Sequence, residues 1–86
     1  MFAHTLKCKE EYFEEVLKKR KRFEIRKDDR TPAFDVGDIL ILKEIKEEGL
    51  TGETYETGRI CAVTVEYILR DFEGLADGYC AMSVKR

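Results

Sequence analysis

No stretch of this 86-residue chain is apolar over anything like the ~20 residues that span a bilayer as a helix. The opening segment MFAHTLKCKEE also lacks the basic-then-apolar layout of a secretory signal. A cytoplasmic protein with no membrane partner is therefore expected. Histidine occurs once, at His4, so no second histidine could complete a metal site built on it. Its nearest candidate, Cys8, would stand roughly 13 Å away along a strand, whereas zinc ligands converge at about 2.0–2.3 Å from one ion. Neither a metal nor any other cofactor is expected. The three cysteines, Cys8, Cys61 and Cys80, are odd in number and show no C-x-x-C spacing. Each sits in an apolar alternation, which predicts buried free thiols acting as small hydrophobes.

What the chain has in abundance is charge: 40% of its residues are Asp, Glu, Lys or Arg, against 43% hydrophobic. That apolar fraction can close one modest core burying about 60–65% of the unfolded surface, so residues 1–86 read as a single domain. The charge is unevenly placed. Lys18–Arg30, KKRKRFEIRKDDR, holds eight of the sixteen Lys and Arg against three acids. That is a formal +5 in a chain of −2, leaving −7 for the remainder.

Periodicity divides the chain into elements. AHTLKC alternates and suits a strand with His4, Leu6 and Cys8 on one face. KEEYFEEVLKK changes period: Tyr12, Phe13, Val16 and Leu17 share a helical face. Glu10 and Glu11 at its start and Lys18 and Lys19 at its end complement the helix dipole. RFEIRK returns to period two, with Phe23 and Ile25 inward and Arg22, Glu24 and Arg26 opposite. A loop with the only proline, Pro32, and a Gly37–Asp38 turn lead to ILILKEI, which reads as buried on both faces. An acidic hairpin with three glycines follows. RICAVTVEYILR then reads as a long strand, inward at Cys61, Val63, Val65, Tyr67 and Leu69, and YCAMSVK as the last. One early helix and five or six strands give an α+β, mainly β fold, expected as a small mixed barrel plugged by the N-terminal helix. The predicted core is Leu6, Tyr12, Phe13, Val16, Leu17, Phe23, Ile25, Ile39, Ile41, Val63, Val65, Met82 and Val84.

Within the basic stretch, KRKRFEIR (Lys19–Arg26) resembles the G-x-K-x-x-E-x-R signature of the ASCH domain, a branch of the PUA-like superfamily. Lys21, Glu24 and Arg26 match, and Lys19 stands where the signature has glycine. At a helix-to-strand corner that glycine normally takes the left-handed conformation, so Lys19 there costs about 1 kcal/mol or forces another turn. The surrounding HTLKCKEEYFEEVLKKRKRFEIRKDDR, VGDILILKE, TGR and DGYCAMSVK are also similar to small single-domain ASCH proteins. The resemblance implies a PUA-like barrel whose cleft, between the helix end, the first strand and the signature strand, binds RNA or modified nucleosides.

If the first strand and the signature strand approach, Thr5, Lys7, Lys21, Glu24 and Arg26 would form a polar pocket, extended by Arg20 and Arg22. Arg26 and Lys21 would neutralise phosphate or read a base edge, with Glu24 orienting Arg26. RNA, a nucleotide or a modified nucleoside is the expected partner. A second reading is enzymatic. One ASCH branch hydrolyses N4-acetylcytidine with the signature lysine, a threonine and a glutamate. Here Lys21 and Glu24 are the catalytic candidates, Glu24 standing where that branch has its threonine, and Lys19, Arg20 and Arg22 would lower the lysine's pKa. The third reading is a non-catalytic structural or protein-interaction module in which Glu24–Arg26 is a surface ion pair. His4 either borders the cleft or caps its strand, Arg59 is equally open, and Asp38 is expected to stabilise its turn.

Overall fold

Strict alternation in AHTLKCK builds β1 (Ala3–Lys9), which buries His4, Leu6 and Cys8 and leaves the residues between them exposed. The period changes at Glu10, where α1 (Glu10–Leu17) begins with two acids in its first turn. Phe13 and Val16 are the buried residues of α1, and Leu17 packs partly buried against the core. Tyr12, expected beside them, is 47% exposed. The remaining strands are β2 (Phe23–Lys27), β3 (Ile39–Glu47), β4 (Thr54–Arg70) and β5 (Tyr79–Lys85). These elements come from a computed structural model that describes residues 1–86.

The five strands form one mixed sheet in the order β1-β3-β4-β5-β2. β1 runs parallel to β3, and every other pair is antiparallel. The fold is thus α+β and mainly β, and the sheet is not closed: no ladder joins the edge strands β1 and β2. They nevertheless approach, because Arg26 Nη2 on β2 donates to the Lys7 carbonyl on β1 at 2.9 Å. Two register shifts bend β4, one opposite Lys43–Ile45 and one at Val65–Tyr67. Bulges of this kind increase local twist and curl a sheet. At the first, Gly58 has φ +91, a conformation that side chains rarely adopt. At the second, Val65 faces Val84 and Tyr67 faces Ser83, so Glu66 is the extra residue. The phase therefore slips: Tyr67 is exposed, Leu69 half-buried, and Ile68 packs on the core instead.

The core holds thirteen apolar side chains, among them Leu6, Phe13, Val16, Val63, Val65, Met82 and Val84, with all three cysteines present as free buried thiols. On β3 the deep face is Leu40, Leu42 and Glu44, whereas Ile39 and Ile41 are half-buried. Phe34, from the loop before β3, is also fully buried. The largest departure from expectation is on β2. Phe23 is 50% and Ile25 53% exposed, while Glu24 is 1% exposed. The strand presents the face opposite to the one its hydrophobicity predicts, and the inward Glu24 is matched by Lys21 three residues before it and Arg26 two residues after it. A strand's period of two turns that one choice into a reversal of every side chain.

The helix ends in a Schellman motif. Lys19 N–H donates to Val16 O at 3.0 Å, and Arg20 N–H to Glu15 O at 2.9 Å. Lys19 occupies its left-handed position with φ 59. Removing its Cβ removes the strain, so Lys19→Gly is expected to stabilise the fold by about 1 kcal/mol. In a domain of this size that raises the melting temperature by roughly 4–8 °C. An unchanged or lower melting temperature would show that the corner carries no strain.

Candidate functional site

Glu24 is the centre of the arrangement. Its carboxylate, 1% exposed, meets the Lys21 ammonium at Oε2 and accepts from Arg26 Nε at Oε1 over 2.9 Å. Lys21 also donates to the Phe23 carbonyl at 2.9 Å, and its nitrogen lies 5.1 Å from the Phe23 ring centroid and 5.9 Å from that of Tyr12. Arg26 is spent on Glu24 and the Lys7 carbonyl through Nε and Nη2. The three signature side chains therefore form one ion-paired cluster between the sheet edges. A carboxylate buried without such partners would cost several kcal/mol.

This cluster lies in a cleft of about 670 Å³ whose walls include Lys7, Cys8 and Lys9 of β1, Tyr12 of α1, and Phe23 to Arg26. The backbone adds to it. Val84 N–H donates to Arg22 O and Asp28 N–H to Gly78 O, so the even-numbered residues of β2 bond to β5. By alternation the N–H and C=O of Ile25 turn away from β5 toward the open edge. Walls of two aromatic rings, a strand edge and a partly exposed guanidinium suit a flat ligand carrying both donors and acceptors.

The candidate residues do not all arrive there. Lys21, Glu24 and Arg26 do. Lys7 contributes its carbonyl, its side chain being on the exposed face of β1. Thr5 shares that outer face and does not line the cleft. Arg22 is also exposed, donates through Nε to Lys19 O at 2.8 Å, and lines a different opening. A pocket of outward-pointing Thr5, Lys7, Glu24 and Arg26 is thus replaced by one that Glu24 enters from the core side. Nor is the Lys21 ammonium surrounded by cations. Arg20 pairs with Glu15 through two bonds of 2.6 and 2.8 Å, leaving a carboxylate, a carbonyl and two rings around the lysine. Tyr12, Phe23 and Ile25, expected in the core, line the cleft instead. The cations at positions −3 and +2 from Glu24 were the available signal that this acid is buried.

The cleft thiol is not a poised nucleophile. Burial pushes Cys8 up, the Glu24 charge adds to it, and both outweigh the lowering by Lys21 and Arg26. A second buried acid, Glu44, faces Cys8 across the β1–β3 ladder. It accepts from Thr57 Oγ1 at 2.7 Å and has Arg59 Nε at 3.7 Å, both brought over it by the Gly58 bulge, while its Oε2 is buried without a protein partner. Arg59 also pairs with Glu14 and stacks 5.0 Å from the Phe13 centroid, so it ties α1 to the sheet. No group of three or more His, Cys, Asp and Glu side chains converges on a point that could hold a metal ion.

His4 lies outside the cleft. Its Nε2 is 2.8 Å from Asp38 Oδ2, and its ring packs on Phe34 with centroids 4.7 Å apart. Asp38 also accepts from the backbone N–H groups of Phe2 and Asp35, both at 2.9 Å. It anchors the turn and the start of β1 at once. Burial raises the Asp38 pKa, but the bonds from Phe2, His4 and Asp35 outweigh it and hold the carboxyl below its usual range.

Two predictions follow from these clusters. With Asp38 depressed in the folded state, its contribution is complete above the unfolded carboxyl pKa of about 3.9 and is lost as pH falls through the folded value. Asp38→Asn should therefore destabilise the protein at pH 7, with the gap to wild type shrinking on acidification below about pH 4 in parallel unfolding titrations. A gap independent of pH would remove the charge from the account. Arg26→Ala leaves Glu24 buried with Lys21 alone and is expected to cost about 2 kcal/mol. A loss within the ~0.5 kcal/mol typical of surface substitutions would mean the pair is solvated.

No curated protein matches the chain. The family model described as domain of unknown function DUF3850 matches residues 3–84, from the start of β1 to the next-to-last residue of β5, with Lys21, Glu24, Arg26, His4 and Asp38 inside it, and the chain belongs to that family.

Proposed function

We propose that the cleft between the β1 and β2 edges binds a nucleobase, presented by RNA or as a nucleotide or modified nucleoside. The observation that carries this reading is the buried Glu24 carboxylate. It holds Lys21 beside the exposed Tyr12 and Phe23 rings and Arg26 against the β1 edge. A base can stack on such rings, which is worth about 1–3 kcal/mol for each base. Its polar edge can then bond to the free strand edge at Ile25 or to Nη1 of Arg26, which neither Glu24 nor Lys7 uses, as unstacked RNA bases do with exposed donors and acceptors. The resemblance of Lys19–Arg26 to the ASCH signature supports the same reading. On it the curled sheet is a PUA-like barrel whose last seam, between β1 and β2, is left open for the ligand.

Binding is preferred to hydrolysis of N4-acetylcytidine. The Lys21 ammonium is held by Glu24 and the Phe23 carbonyl, and the hydroxyl used by the catalytic branch is replaced by Glu24 itself. The wild-type protein should give no turnover of N4-acetylcytidine. Robust hydrolysis abolished by Lys21→Ala would make it an amidohydrolase. For binding, Phe23→Ala is the informative change because the ring is half exposed. It should leave stability within about 0.5 kcal/mol of wild type. The same substitution should weaken single-stranded RNA or nucleoside binding by about 1–3 kcal/mol in a fluorescence titration. Equal affinity of both proteins would remove the base from the cleft.

A further inference from the structure

Of the sixteen Lys and Arg, seven are ion-paired. Four of the other nine, Lys19, Arg22, Lys85 and Arg86, line one opening of about 480 Å³ at the helix C-terminus. Lys21 reaches its wall from the neighbouring cleft, and Glu66 is the only acid there. With Lys21 matched by Glu24, the four unpaired cations against one acid give this mouth a formal +3 in a chain of −2, so the rest of the molecule carries −5. Such a concentration of one sign over a low-dielectric floor, here the buried Val16, Val63 and Val84, focuses the field on whatever enters.

The backbone supplies an independent observation. Lys19 sits at φ 59, where glycine would relieve the strain, and it places an ammonium on this rim. A strained non-glycine residue that is not required by packing points to use of its side chain. Arg22 is oriented by its Nε bond to Lys19 O, and Arg86 by its Nη1 bond to Leu17 O at 3.0 Å, so both guanidinium groups are fixed by the helix-end carbonyls. Those bonds use one nitrogen of each arginine, leaving the others free for an anion. Two guanidinium and two ammonium groups around one opening match the oxygens of a polyphosphate better than a single carboxylate.

We infer that this mouth is a phosphate-binding site distinct from the Glu24 cleft, taking either a small polyphosphorylated ligand or the backbone of a nucleic acid. It does not depend on the nucleobase reading. The test is calorimetric titration of the wild type and of Lys19→Gly/Lys85→Gln with inorganic tripolyphosphate and, separately, a short oligouridylate. The double variant keeps Lys21, Glu24 and Arg26, and Lys19→Gly is expected to raise the melting temperature. Lost affinity can therefore be separated from lost folding. Wild type should bind tripolyphosphate, and the double variant should bind it about tenfold more weakly, from two partly screened charge contacts. Tighter binding of oligouridylate, also lost in the double variant, assigns the phosphates to a nucleic-acid backbone. Equal or tighter binding of tripolyphosphate assigns them to a small ligand. No binding of either probe by wild type, or equal affinity in the double variant, overturns the inference. Nucleoside binding sensitive to Phe23→Ala would stand regardless, so the two sites fail separately.

Discussion

The burial of Glu24 between Lys21 and Arg26 is the constraint around which this end of the molecule is arranged. A carboxylate in the interior needs its charge matched nearby, and here the partners come from three and two residues away along the chain. Arg26, while held by Glu24, reaches across to the Lys7 carbonyl and joins the two edges of the sheet. The seam between β1 and β2 is thus made by side chains where a backbone ladder would otherwise run. A ladder would have consumed the polar groups of both edges; the ion cluster leaves part of them facing an open cleft.

Turning β2 inward on its charged face has a second consequence. Phe23 and Ile25 are pushed to the outside, and Phe23 joins Tyr12 beside the Lys21 ammonium. Two aromatic rings that would ordinarily contribute to a core become the walls of a pocket. The core is completed from elsewhere. Phe34 comes from a loop, and Ile68 turns inward past the Glu66 bulge. Bulges in β4 thus serve both ends: one re-aims Ile68, and the other brings Thr57 and Arg59 over the buried Glu44.

The two basic openings differ in kind. In the cleft Lys21 and Arg26 share the one carboxylate of Glu24, so the charge there is local and directional. At the helix-end mouth Lys19, Arg22, Lys85 and Arg86 pair with no acid and act together as a field. The stretch KKRKRFEIRKDDR therefore divides its charge. Lys21 and Arg26 serve the interior carboxylate, Arg20 pairs with Glu15, and Lys19 and Arg22 face solvent at the mouth.

Periodicity by itself determined the element order, the helix and the strands apart from the first five residues of β4, Thr54–Gly58, which read as part of an acidic loop or hairpin, and the burial of His4, Leu6 and Cys8. Local side-chain spacing carries that information, and nothing in the tertiary structure opposed it. The signature triad was also legible as a set, because Lys21, Glu24 and Arg26 lie within six residues and can meet whichever way the strand faces. The face itself was decided only by tertiary structure. In FEIRK both alternating sets are plausible interiors, one by hydrophobicity and one by mutual neutralisation, and the choice depends on neighbours distant in sequence. Thr5 and the Lys7 side chain lost their place in the cleft for that reason, and Tyr12 and Phe23 gained theirs. The slip at Glu66 was equally hidden. A bulge is set by pairing with β5, and the pattern of β4 taken alone, CAVTVEYIL, continues its alternation straight through to Tyr67.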